Sequence, residues 1–233
     1  YTAGTNLVTA SVLDRSAATV TGYTNGTNNG STSTVGLGSL ATSLPMRIGT
    51  QAGTLGGYQD FEFFGAAVFR RALTATEIAL INTHYQGTVT PESIALLSTA
   101  VLWIDPARSS QEMAINRSTA GRKAVAVTRP TLLFGTDDYM EVPDNALLNM
   151  DASQSFTVLA VVRQWATAVA NGRYLAKGAS AAANAYALLG NATSATLQTI
   201  PLRVISSSAS TSTTTGSGTF AGGIGVSGRT STG

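Results

Sequence analysis

Short runs in which apolar and polar residues alternate dominate this chain, and turn residues cut them at close intervals. LVTASVL (7–13) and TVTGYT (19–24) follow a period of two and are separated by DRSAA, a hairpin-like connection. Asn25-Gly26 and Asn29-Gly30 come next, and each pair readily takes the positive φ values of a type I′ turn. LPMRIG (44–49) reads as a strand stopped by glycine. YQDFEFFGAAVFR (58–70) reads as an aromatic strand interrupted at Gly65, which predicts a bulge or a close backbone approach.

The period then changes. Thr74-Ala-Thr-Glu77 forms a capping box, in which the Thr74 hydroxyl and the Glu77 carboxylate can satisfy each other's orphan backbone donors. Ile78, Ile81 and Tyr85 fall on one face of the short helix that follows, which should end near Gly87. Thr90-Pro91-Glu92 marks a second helix start, with proline where its missing N–H costs nothing. Residues 88–98 therefore read as a linker holding one or two helical turns.

Strand patterns return from residue 100: AVLWIDP (100–106), AVAVT (124–128), PTLLF (130–134) and, after a Gly-Thr-Asp-Asp turn, YMEV. FTVLAVVRQW (156–165) is the strongest candidate for a fully buried strand, because its apolar content is nearly continuous. YLAKG (174–178), AYALLG (185–190) and PLRVIS (201–206) continue the series. SSSASTSTTTGSGT (206–219) is low-complexity and reads as a mobile loop, and the final GVSGRTSTG carries no period. Many short strands, glycine-rich turns and one or two short helices predict an all-β antiparallel sandwich or jelly roll.

Composition narrows the function classes. Charged residues make up only 11% of 233 residues, so Ser, Thr, Asn and Gly must supply most of the polar surface. A net charge of +2 from scattered Lys and Arg is too small to steer nucleic acid. With no cysteine, neither disulfides nor a thiolate metal site can form. No run approaches the roughly 18 apolar residues of a membrane-spanning helix. The chain opens on Tyr1 and not on Met, which reads as a processed or partial piece of something longer.

FGTDDYMEVPDNALLNMDASQSFTVLAVVR resembles the opening of a concanavalin A-like, laminin-G-like jelly-roll domain, where an F-D-G-x-D-D-Y turn leads into a strand and S-F-T-V starts the next. VLWIDPARSS with the later RPTLLFG is similar to the lead-in of bacterial and phage members. TVTGYTNGTNNG (19–30) resembles a hairpin near the end of such domains, and RIGTQAG…GGYQDFEFFGAAVFRRALTATEI resembles their closing stretch. The departures are a missing aspartate between Phe134 and Gly135, and a missing tryptophan near Ala114-Ile115. Residues 1–87 thus resemble the C-terminal half of a sandwich, and 99–233 the N-terminal part of one. Either tandem repeats supply the missing halves, or the two parts complete one permuted sandwich.

Candidate chemistry is sparse. Asp60 and Glu62 alternate on one strand face, and retaining glycosidases of the resembled fold use acids at such spacing about 5 Å apart. Tyr58 stands where the first acid of that pattern would be, and Phe64 or Gly65 where the last would be, so a structural role is the better reading and no enzyme is expected. Trp165, Tyr58 and Asp60 are the candidate ligand contacts, Trp165 as a ring that could stack on a sugar. Asp137, Asp138 and Asp144 surround a turn and could offer hard oxygen ligands to Ca²⁺, although aspartate is also an ordinary turn residue. His84 is the sole histidine, which removes His-based triads and His-rich metal sites, and Trp103 reads as core.

The resemblance and composition together imply a non-enzymatic structural or adhesion module at a virion surface or outside the cell, such as a phage tail or capsid-decorating protein. Its expected partners are other assembly subunits and host glycans bound through sandwich loops by an oligomer, with no nucleic acid and no membrane span. A purely structural spacer and a glycan hydrolase are the rival classes.

Overall fold

The computed structural model describes residues 6–50, 58, 60–106, 132–135, 138–164, 172–178, 185–189 and 202–205. The expected strand 124–128, the Ser/Thr-rich segment 206–219 and the final residues lie outside them. Twelve strands and two helices make up the described chain: β1 Asn6–Asp14, β2 Thr19–Thr24, β3 Thr27–Ser33, β4 Met46–Ile48, β5 Phe61–Phe69, α1 Ala75–Tyr85, α2 Pro91–Leu97, β6 Leu102–Ile104, β7 Leu132–Phe134, β8 Met140–Val142, β9 Phe156–Gln164, β10 Arg173–Lys177, β11 Ala185–Leu189 and β12 Leu202–Ile205. Every pairing among these strands is antiparallel, and they form two sheets.

The seven-stranded sheet runs β3-β2-β1-β9-β5-β6, with β7 also on β5, and the five-stranded sheet runs β12-β11-β10-β4-β8. β9, the near-continuous apolar run, sits between β1 and β5. Leu13 pairs with Phe156 on one side, and Val68 pairs with Val158 on the other. Strands from before and after residues 88–98 therefore share each sheet: β4 lies between β8 and β10, as β9 lies between β1 and β5.

Burial on both faces explains why β9 has no polar alternation. Phe156, Val158, Ala160 and Val162 point into the layer between the sheets with Met46, Ile48, Leu175, Tyr186 and Leu188. Leu159 and Val161 point the other way, into a second core with Ile78, Ile81, Leu97 and Phe69 beneath the helices. The Gly65 interruption is a register shift between Phe63 and Gly65, and it resets the alternation of β5. Before it Phe61 and Phe63 face the inter-sheet core; after it Ala66 and Val68 do.

Both helices begin as the sequence predicts. Thr74 Oγ1 accepts the Glu77 N–H at 3.3 Å while the Glu77 carboxylate accepts the Thr74 N–H at 2.9 Å. Thr90 and Ser93 make the equivalent pair at the start of α2. The hairpin at Asn25-Gly26 has φ of 47° and 79°, as a type I′ turn requires. Asn29-Gly30, however, is no turn: it lies inside β3, an almost wholly exposed polar edge strand, where Asn28 Oδ1 accepts the Gly30 N–H at 2.7 Å. The pairing partner β2, and not local preference, decides that stretch.

Candidate functional site

Of the candidates, Tyr58 and Asp60 precede β5, Asp138 lies between β7 and β8, and Asp144 follows β8. Trp165 and Asp137 lie outside the described residues. Tyr58 and Asp60 are half-buried on the approach to β5, and Asp138 is buried between β7 and β8. Phe61 pairs with Phe134, their rings stacked at 4.9 Å and 7°, and this fixes the approach of the two strands. Asp138 Oδ2 accepts the Gly135 N–H at 3.0 Å, closing the turn that opens after β7. Gly49, at φ 88°, lets the end of β4 pass this turn: a Cβ there would meet the Phe134 ring at 2.7 Å and the Asp138 carbonyl at 2.9 Å.

The charge of Asp138 reaches Asp60 across this turn. Burial, followed by the charge of Asp138, pushes the Asp60 carboxyl above the ordinary aspartate range. Asp144 goes elsewhere: its Oδ1 accepts from Lys177 Nζ at 2.6 Å and from Asn149 Nδ2 at 3.4 Å. Among the described residues no three His, Asp or Glu side chains gather as metal ligands. Asp144 is thus taken up by Lys177 and Asn149.

Glu62 is paired with a cation on the neighbouring strand. Its carboxylate lies 3.0 Å from Arg163 Nη1, and the same guanidinium bonds Asn6 Oδ1 at 2.9 Å and sits 5.1 Å from the centre of the Phe64 ring. On the other sheet Arg47 bonds Glu141 at 3.1 Å and lies over Tyr139. His84 is buried, with Nδ1 2.8 Å from Ser93 Oγ, and its ring meets Tyr85 and Trp103 edge-on. Trp103 packs partly buried against the helix-side core, and its Nε1–H donates to Tyr85 Oη at 3.1 Å.

Sequence reasoning missed Lys177 and Arg163, because each finds its acid far along the chain, and missed Asp60 with Asp138 as a pair. A charged residue inside an apolar strand run was the one available signal, present at Lys177 in YLAKG and Arg163 in VVRQW. Among the described residues no helix is long and apolar enough to cross a membrane. Comparison with the models of known protein families, with curated proteins and with solved structures finds no match for this chain.

Proposed function

We propose that this chain is a non-enzymatic structural and adhesion module of the laminin-G-like jelly-roll type, carried on a virion or cell surface, whose loops bind glycans weakly. Residues 1–87 supply its closing strands and 99–233 its opening ones, meeting as one permuted sandwich. The observation that carries the reading is the use made of its charged side chains. Glu62 is spent on Arg163, Asp144 on Lys177 and Glu141 on Arg47, so these acids brace strands and turns, which supports a structural role for them. Affinity for a repeating polysaccharide would then come from many copies more than from one deep pocket.

Two measurements test the proposal. Intact protein on a glycan array should bind one or more polysaccharides; no binding by the oligomer sinks the adhesion half and leaves the spacer. A chain ending before β9 should neither unfold cooperatively nor stay soluble, because β1 and β5 would both lose their partner edge. A well-folded truncated chain would instead favour tandem repeats completed by neighbours.

A further inference from the structure

The β2–β3 hairpin carries two Asn-Gly pairs, and the fold treats them differently. Before glycine, the following backbone nitrogen reaches the asparagine side-chain carbonyl most freely, because no Cβ obstructs the approach. Reaction then depends on whether the fold holds those two groups apart. At Asn25 it does. Asn25 Oδ1 accepts the Val8 N–H at 2.9 Å, and the Asn25 N–H donates to the Val8 carbonyl at 2.8 Å. Gly26 lies against α1, where an added Cβ would meet the Asn82 side chain at 3.4 Å. Turning the Asn25 carbonyl toward the Gly26 nitrogen would break the Val8 bond in a turn packed on a helix.

Asn29 is placed otherwise. Gly22 pairs with Gly30 and Tyr23 with Asn28, so Asn29 is the extra residue of a bulge in β3. The Gly30 N–H goes to Asn28 Oδ1 at 2.7 Å, a bond between near neighbours on an exposed strand, and Gly30 has φ of 117°. The Asn29 side-chain nitrogen donates to Thr24 Oγ1 at 2.5 Å. A hydroxyl therefore sits on the atom that would have to leave.

We propose that Asn29 is a self-modification site, converting in the folded protein to aspartate and isoaspartate while Asn25 persists. The Gly30 nitrogen gives its proton to solvent base and attacks Asn29 Cγ. That bond closes a succinimide ring as the bond from Cγ to Nδ2 breaks. Nδ2 leaves as ammonia, taking up one proton, which the Thr24 hydroxyl relays from solvent. Water then opens the ring at either carbonyl, so water is consumed and ammonia released. The consequence falls on the sheet edge: β3 ends the seven-stranded sheet, and Thr27–Ser33 holds no charged residue. Conversion puts a carboxylate there, and a charge on an edge strand opposes pairing with other chains.

Intact protein incubated at mildly alkaline pH, folded and in urea, provides the test. Tandem mass spectra of the peptide holding both pairs locate each conversion, and enzymatic isoaspartyl methylation identifies the product. In the folded protein Asn29 should gain about one mass unit at least about tenfold faster than Asn25; in urea the two should convert at similar rates. Thr24→Val should slow Asn29 several-fold in the folded protein only, and Thr24→Ser should restore the rate. Circular dichroism checks that each variant is folded. An Asn29 that converts no faster than Asn25 in the folded protein would overturn the site, whatever the variants do. An unchanged rate in folded Thr24→Val would overturn the relay.

Discussion

Lys177 Nζ lies 2.6 Å from Asp144 Oδ1 although the lysine side chain is wholly shielded from solvent. The same ammonium donates to the carbonyls of Leu44 at 2.7 Å and Thr42 at 3.2 Å, so all three of its protons are used. One buried cation thereby ties the loop before β4 and the turn after β8 to the end of β10. Lys177→Met keeps the stem and leaves both carbonyls without a donor, and should cost about 2–3 kcal/mol in urea unfolding. Asp144→Asn should destabilise less, because Asp144 is reached by water. Equal losses would show that the ion pair outweighs the carbonyl bonds.

Thr9 in β1 is fully buried, and its hydroxyl has no hydrogen-bond partner. Valine has the same shape without the polar atom. Thr9→Val should raise stability by about 1 kcal/mol, read as a higher denaturant midpoint at constant slope. A lower midpoint would mean that the hydroxyl has a partner in solution.

Gly65 is where β5 yields to α1. A Cβ there would meet Tyr85 Oη at 2.7 Å and the Ile104 carbonyl at 3.0 Å. Gly65→Ala should cost about 2–3 kcal/mol by overpacking. Tyr85→Phe alone removes the acceptor of the Trp103 N–H and should cost about 1 kcal/mol. Combined, the two should cost less than their sum, since the phenol oxygen is the nearest obstruction. Strict additivity would place the clash on Ile104 instead.

Acid should loosen the start of α1. Hydrogen bonds from Arg71, at 2.6 and 2.9 Å, together with the cap donors, hold Glu77 down to about 2. A carboxyl lowered on folding stabilises the protein above its unfolded pKa of roughly 4.3, and that stability is lost as pH falls toward 2. Asp60 runs the other way. Its raised carboxyl costs stability as pH climbs above the ordinary aspartate range. Glu77→Gln should thus lose about 1 kcal/mol near neutrality, allowing for the exposure of Arg71, and nothing near pH 2. Asp60→Asn should gain stability near neutrality and converge with the parent chain in acid.

What could be read from the sequence followed the range of the forces involved. The Thr74–Glu77 capping box spans three residues and was legible, as was the Gly65 bulge in its aromatic strand. The buried run of β9 was legible because both of its faces are apolar. β3 was not, since TNNGSTS has neither apolar alternation nor β-branched bulk, and only β2 beside it selects an extended chain. Of the site, each aspartate could be named, but not its partner. Asp60 feels the charge of Asp138 beside the Phe61–Phe134 pair, and Glu62 meets Arg163 across 101 residues. Such pairings are set by sheet register, which local pattern does not encode.

The place of β9 between β1 and β5 also has a cost in time. Asp14 ends the first strand of the central trio, and Phe156 begins the one it must pair with. On a ribosome adding 5–20 residues per second, roughly ten seconds pass with both neighbouring edges made and the centre still unmade. During that interval β1 and β5 offer open, apolar edges to anything nearby. Misregistered pairing and aggregation of nascent chains are therefore this protein's characteristic hazard, and slow translation or a holding chaperone should change its yield more than its final stability.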